Sequence, residues 1–221
     1  YVANTDAINK VRFEGVREKG SDISTVMGHL HESRITIIDP TSGVILPVHL
    51  NNHIDYDDLV ASKKTRSRSL SMPVALAVTS DGKKVYVAAK GSDKIAILDS
   101  KQLESDSFRP STRQHIPIPG GGPAGMALDE SRQRLYVVSR FDNSLVVINT
   151  RKKKVIKQYA MHNPEPVEIR LGRSLFFNAF ETSSNGESSC ASCHVAGDKD
   201  EIAWDLGDPF APMMKNPTPV V

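Results

Sequence analysis

No stretch of this 221-residue chain approaches the roughly 18 consecutive apolar residues of a membrane-spanning helix, so no segment reads as one. An excess of one charge is also lacking. Lys and Arg number 28 and Asp and Glu 26, so no global field draws the chain to nucleic acid or an anionic membrane surface. The basic run Lys63-Lys64-Thr65-Arg66-Ser67-Arg68 reads as a solvated loop. Tryptophan occurs once, at Trp204, and cysteine twice. Both cysteines fall in one five-residue window, Cys190-Ala191-Ser192-Cys193-His194. No targeting segment precedes the first residues, Tyr1-Val2-Ala3-Asn4, which read as the middle of a strand. The chain is therefore expected to be a piece of a larger, processed protein, and its start is silent about location.

What is present over residues 1–171 is a repeat of short strands and turns. Ile35-Thr36-Ile37-Ile38-Asp39, Ile95-Ala96-Ile97-Leu98-Asp99 and Leu145-Val146-Val147-Ile148-Asn149 are β-branched, apolar segments, each closing on an Asp or Asn that starts a turn. Pro73-Val74-Ala75-Leu76-Ala77-Val78 recurs fifty residues later as Pro123-Ala124-Gly125-Met126-Ala127-Leu128, and Val85-Tyr86-Val87 recurs as Leu135-Tyr136-Val137. Pro166-Val167-Glu168-Ile169 reads as a looser third copy of the Pro-led strand, with Leu175-Phe176-Phe177 where its Tyr-Val strand should follow. Several strands per unit of about 40 to 50 residues is the mark of a β-propeller, whose small sheets bury both faces only by stacking on neighbours. Two nearly complete blades and parts of two more are expected, with further blades upstream. Residues 5–33 and 50–71 are long insertions; their histidines, His29, His31, His49 and His53, read as loop or surface residues rather than metal ligands.

Tyr86-Val87-Ala88 and Tyr136-Val137-Val138, each followed by a turn and an apolar strand, resemble the YVTN-type β-propeller repeats. Neither copy reads Tyr-Val-Thr-Asn. The resemblance implies a mainly β fold, a partial propeller.

After residue 172 the texture changes. Glu181-Thr182-Ser183-Ser184-Asn185-Gly186-Glu187-Ser188-Ser189 reads as a polar linker into the cysteine motif, and Pro209, Pro212, Pro217 and Pro219 keep the tail from being one long helix. C-x-x-C-H is the attachment signature of c-type haem. Two thiols add across two vinyl groups, and a helical turn brings both sulfurs to one edge of the porphyrin. His194 is then carried beneath the ring as an iron ligand, with its other nitrogen oriented by a backbone carbonyl. Three readings compete. A zinc site needs about four ligands, and a redox dithiol needs a βαβ context; neither is evident. A disulfide in a tight loop is the plain alternative. The haem reading leads because both cysteines of the chain sit in the motif with histidine directly behind.

Met213 and Met214 are candidate opposite ligands, beside a ligand beyond residue 221, Met161 or His162, or an open position. Trp204 either lines the haem pocket or packs in a core. Phe176, Phe177 and Phe180 either wall the haem or seal the last blade, and the blade reading leads.

Gly172-Arg173-Ser174-Leu175-Phe176-Phe177, Ser184-Asn185-Gly186 and Ser189-Cys190-Ala191-Ser192-Cys193-His194 resemble the start of the haem domain in the cytochrome c peroxidase/MauG-like family. Together with the blades, the chain resembles bacterial exported proteins that fuse YVTN-type repeats to such a domain. The resemblance implies one covalent haem c on Cys190 and Cys193 with His194 proximal, and a periplasmic or extracellular location. It implies electron transfer with redox partner proteins. A peroxidase-like oxidoreductase is the alternative, although that family uses two haems and one motif is present here; a propeller acting as a partner-binding module is another. The domains are expected at 1–171, incomplete blades, and 172–221, a short, loop-rich, partly helical haem-binding segment. Some fifty residues are few for a self-contained cytochrome domain, so part of the pocket is expected from another segment.

Overall fold

The computed structural model describes residues 1–8, 28–58, 60–105 and 107–199. The strand-forming segments assemble into three antiparallel sheets. The first holds β1 (Val2–Ala7), β2 (His31–Ile38) and β3 (Ile45–His49) in that order. The second runs β4 (Pro73–Val78), β5 (Lys84–Ala89), β6 (Lys94–Asp99) and β7 (His115–Pro117), and the third β8 (Pro123–Asp129), β9 (Arg134–Ser139), β10 (Ser144–Asn149) and β11 (Lys154–Ala160). Each is a meander, and β4 packs against β8 on one side and β1 on the other, so the sheets fan around their first strands as propeller blades do.

The near-continuous apolar runs of β5 and β6 follow from this stacking. Side chains alternate across a strand. Val85, Val87 and Leu98 face the first sheet and pack with Ile35, Val48, Leu50 and Leu70. Tyr86, Ile95 and Ile97 face the third and pack with Leu135, Val137, Val146 and Ile148. A strand with one wet face would alternate with polar residues; β5 and β6 carry charged residues only at their ends, Lys84, Lys94 and Asp99. Burying one such Leu or Ile contributes about 1.5–3 kcal/mol. The fifty-residue repeat is also visible in the backbone. Asp93 and Asn143 hold equivalent turn positions before β6 and β10 with φ of 52° and 53°, a left-handed conformation that Asp and Asn adopt more readily than other non-glycine residues.

Two expectations are corrected. The basic run is a helix, α1 (Lys63–Arg68), started by Ser62, whose hydroxyl accepts from the Thr65 N–H at 3.1 Å. It is held down: Lys94 donates to the carbonyls of Ser67 and Ser69, both at 3.0 Å. The looser third repeat is not a pair of strands either. Residues 167–177 form one helix, α3 (Val167–Phe177), numbered after the short α2 (Ser100–Glu104). Pro164 and Pro166 remove ladder donors, and Arg173 reaches back to both carboxylate oxygens of Glu165 to staple the helix start. The position expected to divide the domains, 171/172, lies inside this helix. Finally, β7 and β11 are fourth, outer strands that the repeat did not announce. β11 is exposed almost throughout and β7 spans three residues, so neither carries an apolar signature.

Among the described residues no helix is long and apolar enough to cross a membrane.

Candidate functional site

Beyond α3 the chain continues through α4 (Ala179–Thr182) and α5 (Cys190–Cys193) across the loops at one end of the blades. Phe177 carries much of this docking. Its ring meets Phe141 of the β9–β10 turn at 5.3 Å between centroids, and the Lys90 ammonium lies 4.1 Å from its ring centre. Phe177 thus seals a blade, as expected. Asn178 caps α4 through the Glu181 N–H at 3.0 Å, and Arg66 of α1 donates to the Phe180 carbonyl at 3.1 Å. Gly186 has φ of +82° and lies so close to Arg66 that a Cβ would stand 2.9 Å from its carbonyl oxygen. Only glycine enters that position without strain.

The next residue, Glu187, is 1% exposed, and its carboxylate is met by donors. Oε1 accepts from the Ser33 N–H at 2.8 Å, from Asn51 Nδ2 at 2.8 Å and from His49 Nε2 at 3.0 Å; Oε2 accepts from the Tyr56 hydroxyl. The donors come from β2, β3 and the segment after β3. Burial pushes the Glu187 carboxyl up, but the His49 bond and charge, the Ser33 N–H and the Tyr56 hydroxyl outweigh it and hold the carboxyl below its ordinary value. Burial beside this carboxylate drives the Tyr56 phenol far up. His29 stacks on Tyr56 at 3.6 Å, and His31 meets the Ser188 hydroxyl at 3.2 Å. Burial lowers the His31 pKa.

These histidines were expected to be loop or surface residues. His31 is 4% exposed, and His29, His31 and His49 line a buried junction between the first blade and the segment leading to the cysteines. The polar stretch 181–189 is likewise not a free linker: Asn185, Gly186, Glu187, Ser188 and Ser189 are buried. A Glu between glycine and serine carries no sequence signal of burial, because its partners lie more than 130 residues away. Among the described residues no three His, Cys, Asp or Glu side chains are arranged to hold a metal ion.

Three residues past Glu187 the motif begins. Ser189 caps α5, its side chain and that of Ser192 satisfying each other's backbone N–H groups in a capping box. The single turn places Cys190 and Cys193 three residues apart on one face, with Cys190 exposed and Cys193 partly buried. The His194 N–H closes the turn on the Cys190 carbonyl at 3.0 Å. The imidazole of His194 then bonds the Asp198 carbonyl through Nδ1 at 3.0 Å. A carbonyl only accepts, so Nδ1 carries the proton and Nε2 keeps its lone pair. Two thiols on one face of a turn, followed by an imidazole with Nε2 fixed as a base, are a donor set that fits covalent haem and iron. Trp204, Met213 and Met214 lie outside the described residues.

A family model, lactonase, 7-bladed beta-propeller, matches residues 55–169. The chain belongs to that family. The match runs from the loop before α1 through the second and third blades of this lactonase-type propeller into α3, and it ends before the cysteine motif. No curated protein matches the chain. Solved structures share the propeller at low identity. Hydrazine synthase of Kuenenia stuttgartiensis is 17% identical, with 68% of this chain and 41% of that one covered and a TM-score of 0.43. A periplasmic gluconolactonase of Pseudomonas aeruginosa is 12% identical, with 62% and 37% covered and a TM-score of 0.43. Dihydro-haem d1 dehydrogenase NirN is 17% identical, with 61% and 25% covered and a TM-score of 0.39. The chain thus spans less than half the length of each. The family model stops short of residues 172–194, which carry the cytochrome c peroxidase/MauG-like resemblance.

Proposed function

We propose that this propeller serves as the scaffold of an exported redox protein that carries one c-type haem on Cys190 and Cys193, with His194 as the proximal ligand. The observation that supports it most is the hydrogen bond from His194 Nδ1 to the Asp198 carbonyl, which reserves Nε2 for iron. The capped turn of α5 holds the two thiols on one face, and the Glu187 junction ties that turn to the first blade. Bound there, a haem would supply a one-electron iron couple whose potential depends on its ligation and burial. The residues of the chain attach, orient and anchor; the Asp198 carbonyl strengthens the imidazole as a base by accepting its proton. Covalent attachment requires export and a ligation apparatus, so the reading places the protein in the periplasm or outside the cell, exchanging electrons with partner proteins.

The test is a pyridine haemochrome spectrum, with optical spectra of both redox states, on protein made in a host that matures c-type cytochromes. A c-type spectrum that changes in His194→Ala while attachment persists supports the reading; a colourless protein overturns it. A high-spin oxidised spectrum would favour the peroxidase-like alternative. The family match supports a second reading, ring-opening of a lactone by the propeller. Acid release from a lactone, unchanged in Cys190→Ala/Cys193→Ala, would favour it.

A further inference from the structure

A cleft of about 220 Å³ lies between the β9–β10 turn and the start of α3, lined by Arg140, Asn143, Asn163, Pro164, Glu165 and Arg173. We propose that this cleft binds a small organic carboxylate, held by the Arg140 guanidinium and the Asn163 amide.

Charge is the first reason. Glu165 is the one carboxylate lining the cleft, and the Arg173 fork already occupies both its oxygens. After that hydrogen bond, Arg140 and Arg170 also help hold the Glu165 carboxyl below its ordinary value. Lys90 adds a further cation: burial first, then Arg140 and Arg173, push its pKa down. Two cations, Arg140 and Arg173, therefore line a space whose one carboxylate is already paired with Arg173. Among the described residues Arg140 makes no ion pair. Unopposed cations at close quarters repel, and an anion between them relieves that repulsion.

The donors are the second reason. Asn163 Oδ1 accepts the Glu165 N–H at 3.0 Å, which fixes the amide. Its Nδ2 is buried and has no partner. A buried donor without an acceptor is unfavourable by about 1–3 kcal/mol, and a ligand oxygen would satisfy it. Asn143 Nδ2 is already spent on the His162 carbonyl, which holds the two sides of the cleft together. A planar guanidinium fork beside an amide N–H₂ matches a planar carboxylate better than a point charge would. The volume lies below the ~300–1,000 Å³ of larger ligand sites. It suits a small acid or the acidic end of a larger molecule, a haem propionate included.

Succinate binding, measured by calorimetry on the Cys190→Ala/Cys193→Ala protein, tests the site without any haem. Saturable binding with a Kd of about 10 mM or tighter is expected. It should weaken about tenfold or more in Arg140→Gln and in Asn163→Ala, and hold in Lys83→Gln, which removes an exposed charge elsewhere. Circular dichroism checks that the variants fold. Absence of binding, or equal binding by Arg140→Gln and Lys83→Gln, overturns the proposal. The haem-bearing protein distinguishes the source of the carboxylate. If it binds succinate equally well, the site serves a free acid; if it has lost binding, the site holds a propionate.

Discussion

Replacing Glu187 with alanine removes one acceptor and strands four donors at once. The Ser33 N–H, Asn51 Nδ2, His49 Nε2 and Tyr56 hydroxyl all converge on a carboxylate that is 1% exposed. Each stranded donor is unfavourable by about 1–3 kcal/mol where water cannot reach it. His49 is 16% exposed, so water relieves part of the loss at that side. Breaking a buried, hydrogen-bonded charge typically destabilises by about 3–5 kcal/mol, and we expect Glu187→Ala to fall there. That is a large fraction of a domain stability of about 5–15 kcal/mol. Glu187→Gln keeps the shape and two acceptor sites but turns an N–H₂ toward donors; about 2 kcal/mol is expected. Urea titration followed by circular dichroism gives both values from the midpoints, provided the slope is unchanged. Limited proteolysis should cut the segment around residues 183–189 sooner in Glu187→Ala. A loss below about 1 kcal/mol in Glu187→Ala would refute the view that this carboxylate anchors the cysteine segment.

Acid should act on the fold in two stages. His31, His53 and His115 all have pKa values lowered by burial, His53 to about 4 and His115 to about 3. The unfolded chain takes up their protons below the ordinary 6.5 while the folded chain does not, so stability falls as pH drops from 6.5 toward 4, by up to about 1.4 kcal/mol per pH unit per histidine. Glu187 is held below its ordinary 4.5; its contribution is full above that value and is lost as pH falls through the folded one. Urea midpoints measured across this range check both signs, and a midpoint that rises on acidification contradicts them. Gly122→Ala places a Cβ 2.5 Å from the Phe141 ring at φ of +60°, and a loss of about 2 kcal/mol or more is expected. Gly43→Ala, at φ of +73° with open space around it, should lose only about 1 kcal/mol, and thermal denaturation separates the two. Leu135→Ala, fully buried between the second and third blades, should destabilise by about 2–5 kcal/mol in the same assay.

The blades were legible because their signals are local. Tyr86-Val87 sits in a strand buried on both faces and its copy Tyr136-Val137 in one buried on one face and half-buried on the other, so the apolar runs and the fifty-residue spacing stand out. The outer strand β11 was not legible, since an exposed strand rich in Lys and Gln has no period to detect. Residues 167–177 misled for a related reason. Leu175-Phe176-Phe177 has the letters of a strand, yet no neighbouring strand pairs with it, and the Pro164 and Pro166 turn with the Arg173–Glu165 staple favours a helix. At the candidate site the motif itself was plain from Cys190, Cys193 and His194, and the expected carbonyl partner for the imidazole is Asp198. The Glu187 junction was invisible, because its partners on β2, β3 and the loop beyond meet it only through the tertiary fold.

The central claim is covalent haem on the cysteine pair, and a denaturing gel with haem stain tests it most directly. Protein matured in a c-type cytochrome host should give a stained band that survives denaturation and vanishes in Cys190→Ala/Cys193→Ala. An unstained band, beside a control cytochrome that stains in the same host, would contradict the account.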